Sequence, residues 1–157
     1  MKLAKISFRL TFALFFISLL ISGCAGERPP SARISVSASN ELNPNANGRP
    51  SPVVLKIFAL SSTGIFDNAR FFELYENSVS TLGVDLLDQF EYQILPGEET
   101  VLDPLTLDLG ANYLGLLAAY RDLDNSNWRT WVVIEPGETA DFEIVLDRLS
   151  LSTNARR

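Results

Sequence analysis

The sequence predicts an all-β protein, an antiparallel two-sheet sandwich with one small helical insertion after the second strand. Short apolar segments recur from Arg33 to Leu146, separated by turn residues rich in Pro, Gly and Asn. The hydrophobic period becomes helical only once, between Phe66 and Leu82. The chain's single cysteine, Cys24, leaves no thiol pair for a disulfide, so an apolar core must hold the fold.

The first 23 residues read as a signal peptide. Lys2, Lys5 and Arg9 form a positive start, and Leu10 to Ile21 form an apolar run too short to span a bilayer comfortably. The run ends in Ile21-Ser22-Gly23-Cys24, a bacterial lipobox. Cleavage there exposes Cys24 as a new N-terminus that carries acyl chains on sulfur and nitrogen. Several chains give lasting attachment, at about 0.8 kcal/mol per buried methylene. The plain alternative is an ordinary signal peptide with a chance cysteine. Residues 24–32 then read as the lipidated cysteine and a tether containing Pro29-Pro30. Ala25 follows the cysteine where an aspartate would hold an enteric lipoprotein at the inner membrane, which favours the outer membrane.

The remaining 134 residues (157 less 23) suit one domain, expected over 33–151. They carry 10 basic and 19 acidic residues, a net charge of −9. That balance argues against nucleic acid and anionic headgroups as targets. There is no histidine, hence no usual metal ligand or general base near neutral pH.

Arg33 to Ala38 alternates polar and apolar, the pattern of a half-buried strand. Asn40 to Ser51 is dominated by Asn, Pro and Gly and reads as a structureless loop. Val53 to Leu60 is apolar on both faces apart from Lys56, so it is a strand covered on both sides. Asp67 reads as a helix N-cap, with Phe66 and Phe71 as a hydrophobic staple. Phe71, Phe72, Leu74 and Tyr75 form the buried stripe of a helix ending near Asn77. A second turn follows from Ser78 to Leu82 and stops at Gly83. Phe90 to Ile94 alternates as a strand. Pro96-Gly97 and Pro136-Gly137 suit type II turns and read as hairpin chemistry. Pro104 interrupts Val101 to Leu107 and suggests an edge or a bulge. Tyr113 to Tyr120 is a doubly buried strand answered by Trp128 to Ile134. Phe142 to Leu146 closes the domain, and residues 152–157 read as a frayed polar tail.

Catalytic and metal patterns are weak. Asp122-Leu123-Asp124-Asn125-Ser126 begins like a calcium loop, but Asn127 and Val133 stand where glycine and glutamate belong, so a turn is the simpler reading. Glu98-Glu99 and Glu135 with Glu138 are paired carboxylates in or beside turns, more consistent with a solvated surface than with glycoside hydrolysis. No nucleophile elbow or phosphate-binding glycine loop is present. The sequence therefore reads as no enzyme, with no cofactor and no metal. A twelve-residue connection between adjacent strands is long, however, and such loops on rigid scaffolds carry recognition.

The chain resembles the outer-membrane lipoproteins of type VI secretion systems, the TssJ (SciN/VasD) family. The resemblance is carried by the lipobox, by Asn43-Pro44-Asn45, and by Gly48-Arg49-Pro50-Ser51-Pro52 leading into Val53 to Leu60. It continues through Phe71 to Tyr75, Leu82 to Leu87, Leu95-Pro96-Gly97-Glu98 and Ala118 to Asp122. It implies a transthyretin-like sandwich and a non-enzymatic tether at the outer membrane, facing the periplasm. It also implies a partner, the periplasmic C-terminal domain of TssM, which works with TssL. The loop between the first two strands would make the contact, with Asn43, Pro44, Asn45, Asn47 and Arg49 as contact residues and Cys24 as the lipid carrier. A competing reading is a periplasmic glycan-binding sandwich using Tyr92, Trp128 or Trp131 as a platform.

Overall fold

The structure, a computed structural model, describes residues 28–156. Two sheets face each other. The first contains β1 (Ser31–Ala38), β4 (Glu99–Val101), β5 (Leu105–Thr106), β8 (Thr139–Leu146) and β9 (Leu151–Ala155). Its order is β4-β1-β8-β9, with β5 pairing the start of β1. The second contains β2 (Val53–Leu60), β3 (Leu86–Ile94), β6 (Tyr113–Ala118) and β7 (Arg129–Val133), in the order β3-β2-β6-β7. Both are built mainly from antiparallel pairs, as expected. The exception is β1 with β8, which pair in parallel along all of β1. These strands are far apart in sequence, so no tight turn forces them to run antiparallel.

Alternation places the core. Ile34, Val36 and Ala38 of β1 point inward, as do Phe142, Ile144 and Leu146 of β8. They meet Val53, Leu55, Ile57 and Ala59 of β2 and Leu114, Leu116 and Ala118 of β6. The other face of β2 and β6 is covered as well. Phe58, Leu60 and Leu117 form a second cluster with Phe66, Phe71, Leu74 and Leu82 of the helical insertion. This double coverage explains the nearly continuous apolar run of β2. Lys56 is largely buried on this face, and its charge is satisfied there: its ammonium donates to the Tyr75 carbonyl at 2.7 Å and pairs with Glu91 at 3.2 Å.

Four expectations need correction. Asp67 is not an N-cap. The insertion opens one turn earlier, as α1 (Gly64–Asn68), and breaks before α2 (Phe71–Leu82). The start of α2 is capped by Glu73, whose carboxylate accepts from the Arg70 N–H at 2.8 Å, so Phe66 and Phe71 belong to different helices and form no staple. The break at Asn77 and the stop at positive-φ Gly83 fall where expected. Phe72 is exposed rather than part of the buried stripe. The Pro96-Gly97 and Pro136-Gly137 turns have glycines at φ 73° and 74°, as type II turns require. They close no hairpins, because each arches from one sheet to the other. Lastly, Leu151–Ala155 is strand β9 rather than a frayed tail: it pairs with β8 and buries Leu151.

Candidate recognition end

Strand directions divide the loops between two ends. The start of β1, beside the Pro136-Gly137 turn, marks one end, where the Ser31 N–H donates to the Glu138 carbonyl at 3.0 Å. The other end gathers the 39–52 connection, the 95–98 turn, the 119–128 connection and the 147–150 turn. At about 3.3 Å per residue, the eight residues of β1 separate the two ends by roughly 26 Å.

The 39–52 connection is ordered by its own sequence, contrary to the structureless loop expected. Leu42 is fully buried and plugs its base. The Ser51 N–H donates to the Leu42 carbonyl at 2.9 Å, and Asn45 and Arg49 are joined by a backbone bond at 2.9 Å. The Asn45 side-chain oxygen accepts from the N–H groups of Asn47 (2.9 Å) and Arg49 (3.1 Å), and Gly48 takes φ 74°. The result is a small hairpin folded around an Asn side chain.

Asn43 holds this hairpin to its neighbours. It is 2% exposed and sits at φ 47°, left-handed backbone that Asn tolerates better than most residues. Its Oδ1 accepts from the Arg121 N–H at 2.8 Å, and its Nδ2 donates to the Pro52 carbonyl at 2.7 Å. Its own N–H donates to the Arg148 carbonyl at 2.9 Å. The side chain expected to touch a partner is turned inward and engaged in building this end. Asn47 and Arg49 are exposed, while Pro44 and Asn45 are half-buried.

Sequence reasoning passed over Arg121, Arg148 and Tyr120 at this end. Arg121 and Arg148 flank the hairpin, and Tyr120 ties the 119–128 connection to the 147–150 turn. The Tyr120 ring is 3% exposed and its hydroxyl donates to the Asp147 carbonyl at 3.2 Å. Burial, and secondarily the Asp147 charge, push this phenol well above its ordinary value. A raised folded-state value means stability that is complete below the unfolded phenol's pKa near 10 and lost as pH rises above it. Tyr92 is shifted the same way, by burial and Asp103. Unfolding free energy is expected to fall above about pH 10, by up to about 1.4 kcal/mol per pH unit for the Tyr120 phenol. In urea titrations, Tyr120→Phe should show a flatter alkaline limb than the unsubstituted protein, and equal limbs would contradict this.

The other candidates do not assemble. Both Asp122 carboxylate oxygens accept from the Asn125 amide, at 2.9 and 3.0 Å, which is turn chemistry. Glu98 accepts from the Leu95 N–H at 2.8 Å, closing the Pro96-Gly97 turn. Tyr92 lies on the inner face of β3, whereas Trp131 lies on the outer face of β7 at the opposite edge of the same sheet. Trp128 packs edge-on against Phe71 at 5.3 Å. The three rings form no common platform. Cys24 lies outside the described residues.

The molecule is thus a two-sheet sandwich with a helical side layer, one end of which is an ordered, loop-built surface. The chain belongs to the family described as type VI secretion lipoprotein (VasD, EvfM, TssJ, VC_A0113), which matches residues 30–149. It is similar to the type VI secretion lipoprotein TssJ1 from Pseudomonas aeruginosa, at 36% identity and a TM-score of 0.79, covering 82% of this chain and 98% of that one. It is also similar to Serratia marcescens Lip, described as a membrane-bound component of the type VI secretion system. Here identity is 26% and the TM-score 0.74, covering 82% of this chain and 99% of that one. A chain in a structure described as the TssM C-terminal domain from EAEC shares the fold at 22% identity and TM-score 0.65, covering 80% and 98%. No curated protein sequence matches.

Proposed function

We propose that this lipoprotein tethers the type VI secretion membrane complex to the outer membrane from the periplasmic side. Cys24 would carry the lipid, and the loop-built end would bind the periplasmic C-terminal domain of TssM, in the complex that also contains TssL. The observation that carries this reading is the polarity of the domain. Arg28, four residues after Cys24, lies beside Gly137 at one end, with its carbonyl 3.9 Å from where a Gly137 Cβ would stand. The ordered hairpin lies at the other end. Lipid and recognition surface then act as opposite ends of a clamp, one held in a bilayer and the other presented to a partner rooted elsewhere. Confinement beneath one membrane raises effective concentration, so the protein interface can be modest. The glycan-binding alternative loses support because its aromatic residues are not brought together.

The test is binding of the detergent-solubilised full chain to the periplasmic domain of the cognate TssM, by calorimetry. A variant carrying Ala46→Ser, Asn47→Gly and Arg49→Gly, with Asn43 and Asn45 kept so that the hairpin still folds, runs beside it. Binding by the parent and its loss by at least tenfold in the variant are expected. No binding by the parent overturns the TssM assignment. Equal binding moves the contact off the hairpin.

A further inference from the structure

The end of the domain that carries Arg28 is a bonded platform. The Leu107 N–H donates to the Pro30 carbonyl at 2.9 Å, and the Ser31 N–H donates to the Glu138 carbonyl. Asn112 crosses to the second sheet. Its N–H donates to the Leu60 carbonyl at 2.9 Å, and its side-chain amide donates to the Ser61 carbonyl at 3.2 Å. The Ser61 N–H in turn donates to the Asp85 carbonyl at 3.0 Å, and the Ile134 N–H donates to the Asn112 carbonyl at 2.8 Å. These bonds join the loops of this end into one base.

Two large apolar side chains project from the base into solvent. Val84, between Gly83 and Asp85, is 91% exposed, and Leu109, between Asp108 and Gly110, is 54% exposed. Val133 and Trp131 are exposed as well and continue the apolar surface up β7 from this end. Among the described residues, the loops of the opposite end expose one large apolar side chain, Leu95. Leu109 also lines an open groove of about 420 Å³ with Arg28, Pro136 and Gly137, so it stands where the chain enters the domain. Four residues of chain separate Cys24 from Arg28, a reach of at most about 14 Å when fully extended. A lipid on Cys24 therefore brings a bilayer surface within that distance of the groove. The carboxylates here include Asp85, Asp108, Glu135 and Glu138, against Arg28. Asp85 Oδ1 accepts from the Ser61 hydroxyl at 3.2 Å, and Asp108 Oδ1 accepts from the Gly110 N–H at 3.0 Å. This excess of negative charge suits zwitterionic headgroups better than anionic ones.

We propose that this end rests directly on the bilayer that holds the N-terminal lipid, with Val84 and Leu109 set among zwitterionic headgroups. Trp131 and Val133 form the margin of the contact, where an amphipathic aromatic ring is at home. A lipid surface is favoured over a protein because the short link to Cys24 holds the bilayer at this end whatever else binds. The inference rests on the lipid-tether reading and adds a second, non-covalent attachment. An acyl anchor alone sets the distance from the membrane but not the orientation. Two apolar tips on a bonded base set the orientation, and the hairpin end, roughly 26 Å along β1, then faces away from the membrane. The contact need only be weak, because the anchor makes it intramolecular.

The experiment uses the full acylated chain in vesicles of phosphatidylcholine and phosphatidylethanolamine. With Cys24 acylated, an introduced cysteine is the one free thiol. Val84→Cys, Leu109→Cys and Asn47→Cys each receive an environment-sensitive fluorophore. The labels at 84 and 109 are expected to be roughly threefold less quenched by aqueous iodide than the label at 47, and to be quenched by a headgroup nitroxide lipid that leaves the label at 47 unaffected. Adding Val84→Glu and Leu109→Glu to the Asn47→Cys chain should raise energy transfer from its label to a headgroup acceptor roughly twofold, as the domain loses its upright stance. If the labels at 84 and 109 are as open to iodide as the label at 47 while the chain stays on the vesicles, the bilayer contact is overturned and the lipid tether stands. Equal shielding of all three labels, or unchanged energy transfer in the glutamate variant, overturns the orienting contact in the same way. Shielding lost on dilution to about one chain per vesicle would assign this end to a second copy and overturn it too. If mass spectrometry finds no acyl chain on Cys24, the lipid-tether reading falls and takes the proposal with it.

Discussion

Asn43→Ala is expected to destabilise the domain by about 2–4 kcal/mol, with little dependence on any partner. Three contributions set this magnitude. The Arg121 N–H and the Pro52 carbonyl each lose a part-buried hydrogen-bond partner, at about 1–3 kcal/mol apiece when no water can substitute. Alanine must also occupy φ 47°, which costs about 1 kcal/mol for a side chain that cannot bond locally to compensate. Some water access to this end keeps the total below the plain sum. Against a total stability of about 5–15 kcal/mol the loss is large. Asn47→Ala, two residues from Asn45 in the same hairpin, is the internal control. Asn47 is exposed and its side chain takes no hydrogen bond among the described residues, so the change should stay within about 0.5 kcal/mol. Urea midpoints for the two variants decide the matter, and indistinguishable midpoints would remove the keystone role from Asn43. Asn43→Asp is a sharper probe. It keeps the acceptor for Arg121 but loses the donor to Pro52 and buries a charge, so it should rescue little. A consequence for function follows. An Asn43 variant that fails to bind a partner says nothing about contact unless its fold is verified, whereas an Arg49 variant does not carry that ambiguity.

The asparagine-rich connection shows where sequence reading stops. Its length and composition mark it as a loop, and they also single out the residues that build this end of the sandwich. They do not reveal that Asn43 faces inward, because its partners, Arg121 and Pro52, are 78 and 9 residues away and only the tertiary fold brings them together. The strands were legible for the converse reason. Alternation along β1 and the two-faced apolar run of β2 are local consequences of which sides are covered. The Pro-Gly turns divide the two cases within one motif. Proline's fixed φ and glycine's positive φ are local and fall as read, but whether a turn closes a hairpin or arches between sheets depends on where the next strand finds its partner. Strand β9 was missed because an edge strand needs little apolar content: Leu151 provides the one fully inward anchor and the ladder to β8 provides the rest. Arg129 was missed because its role lies in bonds to the carbonyls of Phe66 and Ala69, some 60 residues away.

Phe66→Ala should be among the most costly single substitutions, at about 3–5 kcal/mol. Its ring is fully buried, 5.9 Å from that of Phe58, and sits over Gly115 at the middle of β6. Gly115 is what allows that approach. A Cβ there would stand 2.9 Å from Leu60 Cδ1 and 3.0 Å from two atoms of the Phe66 ring, too close for either packed side chain to yield freely. Sheet and helix are thus fitted at one point, and Arg129 ties the adjacent carbonyls of Phe66 and Ala69 to β7 at 2.9 and 2.8 Å. Loss of the ring leaves a cavity in the cluster that Phe58, Leu60, Phe71, Leu74, Leu82 and Leu117 otherwise fill. Because this cluster is distinct from the one between the sheets, the damage should be partly local. Hydrogen exchange in Phe66→Ala is expected to accelerate most over Gly64 to Asp85, less in β1 and β8, and least of all to distort the hairpin at the far end. Uniform acceleration across the chain would mean that the side layer and the sandwich open as a single unit. A loss below about 1 kcal/mol would mean that the insertion is held mainly by Phe71, Leu74 and Leu82, with Gly115 accommodating a contact of little weight. The expected pattern, a loosened side layer with the hairpin end intact, would let the helical insertion be altered without disturbing the surface that Asn43 builds.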